Sequence, residues 1–111
     1  MEKNDEIRII GKQLIRSSTS VGANYRAVCR ARSDRERYAK LCIVVEEADE
    51  TQFWLEILVE SDLIKIEEVL NIRQEVEEIV KVMTIYKYRL EKIQRNNCPL
   101  PITYVKYTTN R

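Results

Sequence analysis

The stretch QLIRSSTSVGANYRA, Gln13 to Ala27, decides the fold. Its flanks carry apolar residues at helical spacing, yet the stretch itself is crowded with Ser, Thr, Gly and Asn, which are neutral or poor helix formers. On a wheel of about 100° per residue, Ile7, Ile10, Leu14, Val21, Tyr25 and Val28 share one face, and Arg8, Lys12, Arg16, Arg26 and Arg30 share a nearly opposite stripe. Gly11, Ser18, Gly22 and Cys29 line one border of the apolar face, where small side chains let another helix approach closely. Gln13, Ser20 and Asn24 line the other, where hydrogen bonding to partners is the better explanation. The pattern predicts one continuous amphipathic helix packed on more than its apolar side. The competing reading makes Ser17 to Ser20 a loop between two shorter helices.

Working outward, this helix runs over about 5–30, and a second opens at Ser33, where Ser33 and Glu36 form a capping box, and continues over about 34–60. A third spans about 66–94, with Val69, Ile72, Val76, Ile79, Met83, Tyr86, Leu90 and Ile93 alternating spacings of three and four. These helices define a bundle domain over 1–95. The remainder, 96–111, is broken by Pro99 and Pro101 and then turns β-like and aromatic, as an extended arm or a disordered tail. The fold class is therefore all-α, an up-down antiparallel bundle. In the second helix Tyr38, Leu41, Val45, Ala48 and Val59 form one stripe, while Ile43, Phe53, Trp54 and Ile57 lie well off it. A helix apolar on two sides needs two burial partners.

A chain of 111 residues with two Gly, two Pro and a third of its residues charged suits one helical domain. No apolar run is long enough to span a membrane, and MEKNDEIRII has no secretory h-region, so the expectation is a cytoplasmic protein with no membrane partner. Cys29, Cys42 and Cys98 form neither a C-x-x-C pair nor an even disulfide set, and there is no His, which removes the commonest general base and transition-metal ligand. No cofactor or metal is expected. Charge is segregated: residues 1–45 carry ten basic and five acidic side chains, residues 46–79 two and twelve, and residues 80–111 seven and one. A net charge of +1 hides a dipolar molecule.

Arg26, Arg30, Arg32, Arg35, Arg37 and Lys40 cluster around the turn between the first two helices, with Tyr25 and Tyr38 nearby. Guanidinium groups bind phosphates bidentately and phenol rings stack on bases, so this set is the candidate site for RNA or DNA. The alternative is a solvated turn that pairs with acidic neighbours. EEADE offers a different chemistry: Glu46, Glu47 and Glu50 fit the E-E-x-x-E pattern of Mg²⁺-dependent all-α nucleotide pyrophosphohydrolases, with Glu68 and Asn71 as a degenerate second element. Against it, no E-x-x-D follows in the third helix, and Glu47 and Glu50 can instead face Arg16 or another subunit, beside Trp54. The expectation is a protein that is not an enzyme.

The segments QLIRSSTSVGAN (Gln13–Asn24) and RARSDRERYAKLCIVVEEADETQFWLEIL (Arg30–Leu58) resemble a known family. These are the four-helix bundle proteins encoded in intervening sequences of bacterial 23S rRNA genes, whose relatives include the accessory variability determinant of diversity-generating retroelements. The first segment matches the family's Q-[IL]-x-R-[SA]-x-x-S-[IV]-[GP]-A-N signature, and the similarity covers roughly 6–94. Two features depart from the family: its usual first helix is almost entirely lacking, and YRAV follows Asn24 where an acidic residue and Gly are common. The resemblance implies a left-handed antiparallel bundle, a ring-shaped homopentamer, and, in the retroelement branch, a basic surface for nucleic acid and a reverse transcriptase. Gln13, Arg16, Ser20, Gly22, Asn24, Glu47, Glu50 and Trp54 are the structural or interface residues expected here. The functional reading is an oligomeric nucleic-acid-binding or nucleoprotein accessory scaffold. A protein-only interaction module comes second, and the nucleotide pyrophosphohydrolase third.

Overall fold

A computed structural model describes residues 3–97, and residues 98–111, with nearly all of the expected tail, lie outside it. It contains three helices, α1 (Lys3–Cys29), α2 (Asp34–Glu60) and α3 (Ile66–Asn97), in a body of 54 × 27 × 25 Å. The small polar stretch is helix throughout, so the loop reading of Ser17 to Ser20 is set aside. The hydroxyls there bond back to the preceding turn: Thr19 Oγ1 donates to the Ile15 carbonyl at 2.7 Å and Ser18 Oγ to the same oxygen at 3.2 Å. Back-bonding of this kind lets Ser and Thr sit inside a helix at small cost.

Helix α2 starts as its capping residues dictate. Ser33 adopts an extended backbone and its Oγ accepts from the Glu36 N–H at 3.1 Å. The return bond differs from the expected box by one residue, since the Glu36 carboxylate accepts from the Arg32 N–H at 3.3 Å rather than from Ser33. The helix ends in a Schellman motif, with the Leu63 N–H on the Leu58 carbonyl at 3.1 Å and the Asp62 N–H on that of Val59 at 3.0 Å. Asp62, at φ 58°, occupies the left-handed position usually given to Gly. Leu63 is buried at this turn, which aims α3 back along α2.

Both turns produce antiparallel neighbours. Across α1 and α2, Leu14 packs in the cluster of Leu55 and Val28 in that of Leu41 and Val44, so the α2 number falls as the α1 number rises. Across α2 and α3, as the α2 residue moves from Asp34 through Tyr38 and Gln52 to Glu56, its partner moves from Gln94 through Glu91 and Glu77 to Arg73. Helix α2 is the central element: α1 and α3 each lie against it, and among the described residues their own backbones stay more than 8 Å apart, Cα to Cα.

The core is two clusters strung along this triad. One joins Val28, Leu41, Val44 and Leu90, flanked by Val21, Tyr38, Met83 and Tyr86; the other joins Leu55, Val69 and Val76, flanked by Leu14, Val59, Ile64 and Val80. The inner stripe of α2 runs through Leu41, Val44, Ala48, Thr51, Leu55 and Leu58, which corrects the expected stripe: Val45 is only half-buried and Val44 takes its place. The seam of α3 divides. Val69, Val76 and Leu90 are buried against α2, whereas Ile72 and Ile93, one helical turn away, are exposed.

Candidate functional site

The turn between α1 and α2 presents the basic set. Arg26, Arg30, Arg32 and Arg35 are exposed and none is ion-paired among the described residues. Lys40 is half-buried. Arg37 stands apart, because its Nη1 donates to the Asp34 carboxylate at 2.7 Å and its Nη2 to the Ala31 carbonyl at 3.5 Å, so its guanidinium serves the turn itself.

The antiparallel register adds a second basic group that the candidate set does not include. Gln94 Nε2 donates to the Asp34 carbonyl at 3.3 Å, and Tyr38 Oη donates to Glu91 at 2.7 Å, which fixes the C-terminal part of α3 beside the α1–α2 turn. Arg89, Lys92 and Arg95 are exposed there, and Lys92 Nζ sits 4.9 Å from the centre of the Tyr88 ring. Two clusters far apart in sequence thus share one end of the bundle, accompanied by the exposed rings of Tyr25 and Tyr88. Part of this charge also complements the helix dipoles, since Arg26 and Arg95 occupy the last turns of α1 and α3. The opposite end carries Glu60, Asp62, Glu67 and Glu68 around the α2–α3 turn and Asp5 and Glu6 at the start of α1. A depression there is lined by Val59, Leu63, Ile64 and Ile66 with Asp62, Lys65, Glu67 and Glu68.

Two tyrosines at the basic end have raised pKa values. Burial, then the hydrogen bond to Glu91 and the neighbouring Cys42, pushes Tyr38 well above the ordinary phenol. For Tyr25 the hydrogen bond with Cys29 comes first, followed by that thiol's charge and the nearby Tyr86. Both phenols stay protonated at neutral pH, and Tyr38 donates to Glu91.

The interface residues expected at α1 and α2 form a polar network. Arg16 Nη1 donates to Glu47 at 3.3 Å, its other terminal nitrogen pairs with Glu50, and its Nε donates to Gln13 Oε1 at 3.1 Å. Trp54 Nε1 donates to the same Glu50 oxygen at 3.3 Å. Glu47 and Glu50 of EEADE are therefore occupied by a guanidinium, while Glu46 is exposed. Among the described residues, no three acidic or thiol side chains converge as a metal site would require, and Glu68 and Asn71 lie toward the other end of the bundle. Asn24 and Ser20 satisfy each other within α1, with Asn24 Nδ2 at 2.9 Å from the Ser20 carbonyl and 3.1 Å from its Oγ. The polar border is thus satisfied mainly inside its own helix. The exception was missed in the sequence: Ser17, fully buried, meets Thr51 at 2.9 Å between their hydroxyl oxygens.

The small-residue border has the opposite fate. Gly22, Ser18 and Cys29 are exposed, and a Cβ on Gly11 or Gly22 would meet no atom within 4 Å. Among the described residues, no helix packs on Gly11 or Gly22.

The fold and this arrangement define an all-α bundle protein with one basic end and an incomplete apolar surface. More narrowly, the chain belongs to the 23S rRNA-intervening sequence protein family, whose model matches residues 1–85. It is similar to a protein of unknown function from the S23 ribosomal protein family of Bacteroides thetaiotaomicron, whose crystal structure is known. The two share 37% identity over 71% of this chain and 73% of that one, with a TM-score of 0.68. No curated protein matched the chain. Among the described residues no helix is long and apolar enough to cross a membrane.

Proposed function

We propose that the protein is a non-enzymatic, cytoplasmic scaffold that self-associates, as the pentamer expected of its family, and presents its basic end to RNA or DNA, alone or with a nucleoprotein partner such as a reverse transcriptase. The observation that supports this is the meeting of two basic groups, Arg26 to Arg35 and Arg89 to Arg95, at the same end of the bundle with exposed Tyr25 and Tyr88. Guanidinium groups on neighbouring elements track a phosphate backbone, and rings add sequence-tolerant stacking. Assembly multiplies individually weak phosphate contacts into useful avidity.

The test is fluorescence anisotropy with labelled single-stranded RNA and DNA over a range of salt. Binding falls steeply with salt and is lost when Arg30 and Arg35 are both changed to Glu, while circular dichroism stays unchanged. Binding that ignores salt, or survives that double reversal, removes this reading.

A specific observation favours one competing reading, the protein-only module. Arg37 is spent on its own turn, and Arg26 and Arg95 cap helix dipoles, so part of the basic end has structural work. Absence of binding at low salt with assembly intact is the outcome that selects it.

A further inference from the structure

One flank of α3 carries more apolar surface than the fold covers. Ile72, Ile79, Val82, Tyr86 and Ile93 recur at spacings of three, four and seven, which puts them on one side of the helix. Tyr86 packs against the cluster that holds Val28 of α1, so this side is turned toward α1. Ile72 is 53% exposed, Val82 56% and Ile93 42%, and among the described residues no Cα of α1 comes within 8 Å of one in α3. Helix α1 leaves room as well: one turn from Tyr25, a Cβ on Gly22 would meet no atom within 4 Å.

We propose that the occupant of this flank is the chain's own segment 98–111, which returns along α3 as a strap. The segment begins where α3 ends, at Asn97. Its first four residues include Pro99 and Pro101, which lack the N–H a helix needs and set the residues before them extended, so the chain turns off the helix axis here. The ten that follow, ITYVKYTTNR, are rich in the β-branched and aromatic residues that favour extended backbone. Ten extended residues at about 3.3 Å each reach about 33 Å. From Ile93 back to Ile72 is about 32 Å of helix at about 1.5 Å per residue. Strap and flank therefore match in length. Charge supports the same placement independently. The charged side chains of the segment are Lys106 and Arg111, both basic, while exposed Glu68 and Glu75 lie on the Ile72 side of α3 and make no ion pair among the described residues. An extended return brings Arg111 level with Ile72, between those two carboxylates. The family model ends at residue 85, so the strap lies outside the stretch matched to the family.

The experiment uses two positions on α3 that differ only in the side they face. Ile72 and Leu70 are both 53% exposed, and two residues along a helix turn them about 200° apart. In a full-length chain with Cys29, Cys42 and Cys98 changed to Ser, Asn110→Cys is combined with either Ile72→Cys or Leu70→Cys, and disulfide formation is followed by mass and on non-reducing gels. A strap on the proposed flank links the Ile72 pair within one chain about tenfold faster than the Leu70 pair, because it raises the effective concentration on one side alone. Adding Tyr104→Asp and Val105→Asp, which place charge in the apolar contact, brings the Ile72 pair down to the rate of the Leu70 pair. Equal rates in the two original pairs overturn the strap, since an unattached segment reaches both sides alike. Disulfides between chains, seen as dimers on the gel, assign the flank to another molecule and overturn it too. A second measurement needs no cysteine change: ending the chain at Asn97 bares the flank, so an apolar fluorescent dye binds severalfold more and the thermal melt moves down. Unchanged dye binding and melting would contradict the proposal.

Discussion

Helix α2 has two inner interfaces, and they are built differently. Against α3 the contact is apolar, with Leu55, Val69 and Val76 at its centre and Tyr38–Glu91, Gln52–Glu77 and Glu56–Arg73 along its edges. Against α1 a pair of hydroxyls is buried at the centre, and the Arg16–Glu47–Glu50–Trp54 network closes the edge. An apolar contact is strong and tolerant of register. A buried polar contact is specific, since each group must find its one partner or bear the cost of desolvation.

The largest effect expected from this difference is at the apolar interface. Leu55→Ala should lower stability by about 2–5 kcal/mol by opening a cavity between α2 and α3, read as a shifted denaturant midpoint. A cost below about 1 kcal/mol would mean that α3 is not docked there. Next comes the edge of the same interface. Tyr38→Phe leaves the buried Glu91 carboxylate without its donor and should cost about 1–3 kcal/mol near neutral pH.

That second variant also carries a pH signature. Burial keeps the Tyr38 phenol protonated in the folded state after the unfolded chain has begun to lose its proton at about 10.0. Its contribution is therefore full below that pH and declines as pH rises above it. The stability gap between the unmodified chain and Tyr38→Phe should narrow in alkaline solution, measured by urea melts at pH 8 to 11. A gap that widens would place Tyr38 outside the buried pair.

The polar interface predicts a smaller and non-additive effect. Thr51→Val alone should cost about 1 kcal/mol by removing the hydrogen bond to Ser17, which keeps its own bond to the Leu14 carbonyl, whereas adding Ser17→Ala to Thr51→Val should cost less than Ser17→Ala alone. Full additivity in that cycle would separate the two hydroxyls. Smallest of all, Asp62→Gly at the left-handed turn after α2 should raise stability by about 0.5–1 kcal/mol, because Gly adopts φ 58° without a Cβ clash.

Much of this architecture is legible in the sequence, for particular reasons. The α2 start follows from Ser33 and Glu36, and the continuous α1 from apolar spacing that persists through Ser17 to Ser20. The outer ridge of α2 is also readable, because Ile43 and Phe53 fall far from Leu41 and Ala48 on a helix. What the sequence hides is which of two neighbouring apolar stripes turns inward: Val44 and Val45 are equivalent until the direction of α1 is known. The basic end is half legible for the same reason, since Arg89, Lys92 and Arg95 join Arg30 only through the antiparallel return of α3. Ser17 gives no local signal at all, as burial of a hydroxyl depends on finding Thr51 thirty-four residues away.

The claim that two sequence-distant basic groups act as one phosphate surface has a direct test in the slope of log affinity against log salt. The probe is a labelled single-stranded RNA, measured with the unmodified chain, Arg30→Gln and Arg95→Gln. Each substitution should reduce the slope by about 0.7, the value for one lost phosphate contact on a single strand, and the two should weaken binding alike. A normal slope with Arg95→Gln beside a reduced one with Arg30→Gln would contradict a shared surface.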